Sequence, residues 1–211
     1  AGRVVAVEID RGRAQSLSER YKNSNVEVFH RDILKVDLAA LGLSDRQFVV
    51  VANLPFNIGT AVIKKLLTGP VKPLKIVGVL QQEVVDRIIN RNGKETLLSL
   101  SVKLYGRAQK LFEISRNSYR PRPRVETAVL AIDLNKDTLP SKTIEAEIWV
   151  LLRAGFAAKR KKLAGNLSRG LNLSASVVEA ALRRIGLDSQ IRAEDLSLTD
   201  WLSLQKALND G

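Results

Sequence analysis

Short apolar runs alternate with amphipathic stretches along the first two thirds of the chain. The apolar runs predict strands at residues 3–9, 26–29, 48–52 and 75–80, and the stretches between them predict helices at 11–21, 58–67 and 82–90. A helix at 97–107 then leads into a predicted hairpin of residues 109–115 and 126–134. Strands that alternate with helices are typical of an α/β fold with a parallel, doubly wound sheet. The β-branched run in 48–52 predicts a strand buried on both faces.

The last third of the chain has a helical pattern and follows a polar segment that contains Pro140. We expect a first domain at residues 1–135, a linker at 136–142 and an all-helical domain at 143–211. Within the helical domain, the pattern predicts helices at 144–156, around the basic run 159–162, after Ser174 and after Thr199.

The chain carries a large excess of positive charge, which favours a polyanionic partner. Its 211 residues have a formal net charge of +12 at pH 7 and a pI near 10.2, values typical of nucleic-acid-binding proteins. No acidic residue occurs between Ile148 and Val178. We predict that the cations of this segment contact a phosphate backbone: Arg153, Lys159, Arg160, Lys161, Lys162 and Arg169. The alternative interpretation is an ordinary solvated basic face.

A second basic segment lies inside the predicted hairpin. Tyr119 precedes Arg120, Arg122 and Arg124, and prolines separate the three arginines. Prolines stiffen such a loop, an aromatic ring can stack on an unpaired base, and guanidinium groups bind phosphates. The loop is therefore suited to hold RNA, although a stiff edge loop with ordinary surface charge is the alternative.

Several classes of site and location are disfavoured by what the sequence lacks. The chain contains no cysteine, which excludes disulfides and thiolate zinc sites, and its single histidine, His30, argues against His-based triads and metal centres. No apolar run approaches the length of a membrane span and there is no secretory signal, so we expect a cytoplasmic protein without a metal or a membrane. The chain also lacks methionine and opens directly in a strand, which we interpret as part of a longer protein.

The segment Asn53-Leu54-Pro55-Phe56 follows the third predicted strand and suits methyl transfer to the amine of a nucleobase. That amine is a poor nucleophile because its lone pair is delocalised into the ring. The side-chain carbonyl of Asn53 and the backbone carbonyl of Leu54 can accept its hydrogens, and Pro55 biases Leu54 toward an extended conformation. Phe56 offers a flat face for the base. The alternative is a proline turn with Phe56 in the core.

Two carboxylates end the first two predicted strands, at the sheet edge where ligands of such folds bind. Glu8 lies at the end of the first strand and is suited to accept hydrogen bonds from ribose hydroxyls. Asp32 follows the second strand and is suited to an adenine amino group, with the next backbone N–H, that of Ile33, directed to the ring. Each carboxylate taken alone is more simply a solvated loop residue.

Taken together, these segments resemble the KsgA-type rRNA adenine dimethyltransferases. The resemblance is carried by residues 5–10, Asp32, residues 53–57, 82–85, 119–125, 156–163 and 192–197, and it extends along essentially the whole chain. It implies a Rossmann-like S-adenosylmethionine-dependent methyltransferase sheet with a small all-helical C-terminal domain that docks on rRNA. It also implies that two adjacent adenines of small-subunit rRNA receive two methyl groups each during ribosome assembly, by a monomer that needs no metal.

The same resemblance implies roles for individual residues. S-adenosylmethionine would contact Glu8, Ile9, Asp32, Ile33 and Asn53. The target amine would be held by the segment Asn53, Leu54, Pro55 and Phe56, and the rings of Phe56 and Tyr119 would enclose the target base.

Two features of the chain depart from the family's pattern. The family's glycine-rich cofactor loop is absent, so we expect this polypeptide alone to bind cofactor weakly and to be inactive. Phe56 and Tyr119 replace the more usual aromatics, and both can still stack.

The main rival function is that of a ribosome-assembly factor that keeps the fold without catalysis. A methylase of large-subunit rRNA and a DNA amine methylase are the others, and the DNA enzyme fits least because no sequence-reading domain is evident.

Overall fold

A computed structural model describes residues 2–134 and 141–210 of the chain. Its strands are β1 (Val4–Glu8), β2 (Val26–His30), β3 (Val49–Asn53), β4 (Lys75–Gln81), β5 (Gly106–Ile114) and β6 (Thr127–Leu134). Its helices are α1 (Arg11–Arg20), α2 (Gly59–Thr68), α3 (Gln82–Ile88), α4 (Leu97–Tyr105), α5 (Lys142–Gly155), α6 (Leu163–Leu171), α7 (Ala175–Arg184) and α8 (Leu198–Asn209). These elements follow the predicted order along the chain.

The strands form a parallel pair and a mixed four-stranded sheet. β1 pairs with β2, with Glu8 opposite His30, and the larger sheet has the order β3-β4-β6-β5. β3 and β4 are parallel, whereas β6 is antiparallel to both β4 and β5. β5 and β6 are consecutive strands that pair directly, as an antiparallel hairpin whose loop spans residues 115–126. The doubly wound pattern thus ends in an antiparallel hairpin.

The prediction that β3 is buried on both faces is wrong. Val49 is 52% exposed and Val51 is 77% exposed, while Val50 and Ala52 on the other face lie partly buried against the core. The face that carries these two valines is therefore not covered by any layer formed from residues 2–134 and 141–210. A run of valines indicates a strand, but it does not determine how many layers cover it.

The buried side chains form one continuous core that extends from the sheet into the C-terminal helices. Ile76 and Ile132 in the sheet, Leu66 in α2, and Leu152 and Trp201 in the C-terminal helices are members of the same cluster. Most of the predicted linker, residues 136–140, lies outside the described residues. After it, Ser141 caps α5 by accepting a hydrogen bond from the Ile144 N–H, which explains why α5 begins at Lys142.

The helical part differs from its prediction at the basic run. Residues 159–162 form a turn between α5 and α6 instead of a helix, and Lys162 has extended backbone angles (φ −62°, ψ 146°) as the residue that precedes α6. α7 begins directly after Ser174, as predicted, and α8 begins at Leu198 because Ser197 and Asp200 form a capping box. No helix in residues 2–134 and 141–210 combines the length and hydrophobicity that crossing a bilayer requires.

Candidate functional site

The turn after β3 has a backbone that is anchored by hydrogen bonds and an aromatic side chain that is exposed to solvent. The Leu54 side chain is 6% exposed, and the Leu54 N–H donates to the Val79 carbonyl of β4 at 3.2 Å. The Pro55 carbonyl accepts from the N–H groups of Ile58 and Gly59, at 3.1 and 2.9 Å, and so closes the turn into α2. Phe56, by contrast, is 42% exposed. The backbone of the turn is therefore fixed while its aromatic ring remains available, which excludes the alternative of a core Phe56.

Two carbonyl oxygens at the tip of β3 have no donor in the described part of the chain. Asn53 is exposed, and its side-chain carbonyl accepts no hydrogen bond from residues 2–134 or 141–210. The Leu54 carbonyl likewise accepts none from these residues. An acceptor without a partner next to an exposed ring is suited to bind the N–H groups of a ligand.

A shallow depression that is open to solvent lies beside this turn. Leu54, Pro55 and Phe56 form one wall of it, and the start of α2, the end of β4 and the start of α3 supply the others: Gly59, Thr60, Leu80, Gln81 and Val84. Because Gly59 has no side chain, Leu80 can approach closely; a Cβ at position 59 would lie 3.1 Å from its Cδ2 atom. The depression is thus an apolar recess next to the two free carbonyls.

A hydrogen bond from the Tyr119 hydroxyl to Thr127 fixes the position of the Tyr119 ring. Its hydroxyl lies 2.8 Å from the Thr127 hydroxyl, and Thr127 donates its single hydroxyl proton to the Ile114 carbonyl at 3.2 Å. Tyr119 is therefore the donor to Thr127. Thr127 is fully buried at the start of β6, so the partly buried ring of Tyr119 is tied to a rigid part of the sheet.

The loop that carries Tyr119 is also tied to the end of β4. The Gln82 N–H donates to the Glu126 carbonyl at 3.0 Å, and the Arg116 N–H donates to the Glu126 carboxylate at 2.6 Å. The Gln82 side chain donates to Glu113 at 2.9 Å, and the same carboxylate raises the pKa of Lys110 through its hydrogen bond. Through these contacts the start of α3 and both ends of the loop form one unit.

The strand register places Phe56 and Tyr119 at the same edge of the sheet. Asn53 of β3 lies opposite Val79 of β4, and Gln81 of β4 lies opposite Thr127 of β6. β3 and β6 are thus two strand spacings apart, or roughly 10 Å. The end of β4 therefore lies between the turn after β3 and the loop before β6.

The two carboxylates lie at the ends of the smaller sheet. Glu8 is the last residue of β1 and accepts from the Asp10 N–H at 2.8 Å, and Asp32, beyond the end of β2, accepts from the Leu34 N–H at 2.8 Å. In both cases the bond engages one carboxylate oxygen and the other has no partner among residues 2–134 and 141–210. A bond between the Arg31 N–H and the Glu8 carbonyl, at 3.0 Å, joins the two strand ends. No hydrogen-bonded strand pair of the described chain connects this sheet to β3.

These groups fit the adenosine half of S-adenosylmethionine. The free oxygens of Glu8 and Asp32 are acceptors for hydroxyl and amino groups. Ile9 is 66% exposed and offers an apolar surface, whereas Ile33 is partly buried against the core. No glycine-rich loop of the kind that cradles the rest of such a cofactor occurs in residues 1–211. The fit is therefore to the adenosine end only.

The predicted RNA-binding cations are exposed and free of carboxylate partners. This holds for Arg120, Arg122, Arg124, Arg153, Lys159, Arg160, Lys161, Lys162 and Arg169 within residues 2–134 and 141–210. Arg116, in the same loop as the first three, is instead paired with Glu126 at 3.3 Å. Unpaired cations on two surfaces are suited to a polyanion, and they include all four residues of the turn between α5 and α6.

The sequence patterns missed two residues of the site, Gln81 and Thr127. Gln81 could have been found, because it ends a strand parallel to β3 and so must share its edge. Thr127 could not, since only the folded hairpin brings its hydroxyl to Tyr119.

Two comparisons of sequence place these features among known proteins. The family model described as ribosomal RNA adenine dimethylase matches residues 1–210. Ribosomal RNA small subunit methyltransferase A of Dehalococcoides mccartyi strain CBDB1 is 35% identical over 205 residues, which cover 97% of this chain and 70% of that protein. The protein of the same name from Geobacillus thermodenitrificans strain NG80-2 is 35% identical over 222 residues, covering 99% of this chain and 74% of that protein.

Solved structures agree on the fold. A dimethyladenosine transferase from Plasmodium falciparum superposes with a TM-score of 0.79 at 21% identity, covering 99% of this chain and 82% of that one. The 23S rRNA methyltransferase ErmE superposes with a TM-score of 0.74 at 21% identity, covering 99% and 83% of the two chains. The expected Rossmann-like α/β fold with a helical C-terminal part is thereby confirmed.

Proposed function

The chain belongs to the ribosomal RNA adenine dimethylase family, as its motifs predicted, and from this membership we infer that it is an S-adenosylmethionine-dependent enzyme that dimethylates the N6 amines of two adjacent adenines in small-subunit rRNA. The relatives named as small-subunit methyltransferases, at 35% identity, support the small subunit as the source of the RNA. We further propose that it acts as a cytoplasmic monomer on an assembling ribosomal subunit.

The observation that carries the proposal is the pair of unpartnered carbonyl oxygens beside an exposed ring. Asn53 and Leu54 present acceptors that no described group of the chain satisfies. When they accept both hydrogens of an adenine amine, the nitrogen lone pair is freed from conjugation with the ring and is directed away from the two acceptors. Phe56 stacks on one face of the base and Tyr119 on the other.

The remaining residues orient the reactants and manage charge. Glu8 and Asp32 hold the ribose and adenine of S-adenosylmethionine, which supplies an activated methyl group when bound. After transfer, the nitrogen of the target base carries a positive charge, which the carbonyl oxygens of Asn53 and Leu54 stabilise until its proton leaves to water. The turn that carries Leu54 is already anchored to β4, so this electrostatic stabilisation requires little reorganisation.

The experiment is methyl transfer by the complete gene product to small ribosomal subunits that lack the modification. Asn53→Ala removes one acceptor, and we expect a loss of about 100-fold or more in kcat/KM with unchanged subunit binding. Asn23→Ala, at an exposed asparagine outside the site, is the matched control and should retain activity. Full activity in the Asn53 variant would refute the proposed role. Absence of transfer by the unmodified protein, with intact subunit binding, would instead favour an assembly factor.

A further inference from the structure

The ring of Trp149, on α5, is approached by two cations that the proposed mechanism does not use. The ammonium of Lys64, on α2, lies 5.9 Å from the centre of the Trp149 ring, and the guanidinium of Arg153, on α5, lies 5.9 Å from the same centre. The two charges are therefore no further apart than twice this distance. Trp149 is 8% exposed, whereas both cations are exposed to solvent.

The Trp149 ring is held in one orientation. Its Nε1–H donates to the Tyr105 hydroxyl at 2.8 Å, and that hydroxyl donates to the Glu145 carboxylate at 2.6 Å. The Arg153 Nε–H donates to the Trp149 carbonyl at 3.2 Å, which fixes the guanidinium over the same helix turn. The ring and its neighbouring guanidinium are thus preorganised, and binding a ligand here would order few additional groups.

The charge of this pair is not compensated. Neither Lys64 nor Arg153 forms an ion pair within residues 2–134 and 141–210, although other lysines of the chain, such as Lys103 and Lys110, do. Two like charges beside one ring repel each other, and the attraction of each cation to the ring offsets only part of that repulsion. An anion bound between them would be attracted to both.

Lys64 and Arg153 lie between the depression beside Phe56 and the basic turn of residues 159–162. Thr60, which lines the depression beside Phe56, lies one helical turn before Lys64 on the same face of α2, a distance of about 6 Å. Arg153 lies in the last turn of α5, and the basic turn of residues 159–162 follows that helix. A chain of phosphates that leaves the depression along α2 would therefore pass Lys64 and Arg153 before it reaches the basic turn.

We propose that Lys64, Trp149 and Arg153 form a phosphate clamp that holds the substrate RNA strand between the target base and the C-terminal helices. The inference rests on the proposed function for the identity of the RNA, and it adds a binding residue, Lys64, that no sequence pattern identified. The two cations contact phosphate oxygens, and Trp149 sets their spacing.

The test is the salt dependence of binding to transcribed small-subunit rRNA, measured without cofactor. The binding constant K falls as salt is added, and removal of one phosphate contact reduces the magnitude of the slope of log K against log salt concentration by about one. Lys64→Ala and Arg153→Ala should each cause this reduction, and the double variant should reduce the magnitude by about two. Lys206→Ala removes an exposed cation of α8 that makes no ion pair in the described chain, and it should leave the slope unchanged. Equal slopes for all variants and the unmodified protein would overturn the clamp.

Tryptophan fluorescence provides an independent readout. The chain has two tryptophans, and Trp201 is fully buried, so a change in emission on RNA addition should come from Trp149 and vanish in Trp149→Phe. A change that persists in this variant would contradict the proposal. Because neither measurement involves methyl transfer, failure of the proposed enzymatic function leaves both results unaffected, and an active enzyme with unchanged slopes would refute the clamp alone.

Discussion

The hydroxyls of Tyr119 and Thr127 lie 2.8 Å apart, which joins the ring of a loop residue to the first, fully buried residue of β6. Prolines stiffen the backbone of this loop but do not fix the side-chain torsions of Tyr119. The bond holds the ring at the sheet edge, where the turn after β3 also presents Phe56. A base that enters between them meets one ring that is already oriented.

We predict that Tyr119→Phe lowers kcat/KM about 5-fold, because the ring remains but loses a hydrogen bond of about 1 kcal/mol. Tyr119→Ala should cost more, about 10-fold to 100-fold, because it removes a stacking surface. Methyl transfer to small ribosomal subunits measures both effects, with Tyr21→Phe, at an exposed tyrosine, as the control. Equal activity of Tyr119→Ala and the unmodified protein would rule out a stacking role.

Gly155→Ala should destabilise the protein by about 1–3 kcal/mol, because a Cβ at this position overpacks the core. That atom would lie 2.3 Å from the Trp201 ring and 3.0 Å from Leu163. Gly165→Ala is the matched control on α6, where a Cβ meets nothing within 4 Å and Ala favours the helix. Denaturant unfolding should show opposite signs for the two changes, and a neutral Gly155→Ala would contradict the packing described.

Stability should fall as the pH rises above about 10, the usual pKa of a tyrosine in the unfolded chain. Burial, and then the hydrogen bond to Glu145, raise the pKa of Tyr105 well above that value. The folded state therefore keeps its proton while the unfolded state loses it, and the contribution to stability is complete below the unfolded pKa and is lost above it. Unfolding free energies across this range measure the effect.

Tyr105→Phe tests the same group by removing its titration. The variant should have a flatter dependence of stability on pH in the alkaline range. At neutral pH it should be less stable by about 1–3 kcal/mol, because the Trp149 Nε1–H and the Glu145 carboxylate lose their shared partner. An unchanged alkaline slope would show that another group is responsible.

Glu95→Ala should destabilise the protein by about 2–4 kcal/mol. The Glu95 carboxylate is 6% exposed and accepts from Ser99 at 2.6 Å, from Asn90 at 2.9 Å and from Lys103. Glu83→Ala removes an exposed carboxylate whose ion pair with Arg87 is 3.9 Å long, and it should change stability by less than about 0.5 kcal/mol. The melting temperatures of the two variants measure this difference. Similar shifts in melting temperature for Glu95→Ala and Glu83→Ala would contradict the prediction.

The order of strands and helices could be predicted because their patterns are local. The alternation of apolar runs with amphipathic segments located the six strands, and Ser174 marked the start of a helix by its side chain alone. The sequence also placed Phe56 beside Asn53 at a strand end, although it left open whether the ring faces outward or lies in the core. These features depend on neighbours within a few residues.

The errors concern properties that depend on distant parts of the chain. Whether Val51 is covered depends on which layer packs against β3, and its own run of valines does not specify that. The basic run 159–162 has good helix formers, but Leu163 is buried and its N–H donates to the Ile191 carbonyl at 2.9 Å, so the chain enters α6 there and not before. The contact of Lys64 with Trp149 joins two helices 85 positions apart, and no local pattern indicates it.

The open edge of β3 has a practical consequence for work with the 211-residue polypeptide. Within residues 2–134 and 141–210 no strand pairs with the outer edge of β3, and two of its valines are exposed to water, so a second molecule can add its own strand there. Concentrated solutions of the isolated polypeptide should therefore aggregate through this strand, and dilution should reverse the early stages. A lysine in place of Val51 would act as a gatekeeper and should raise the concentration at which light scattering first appears.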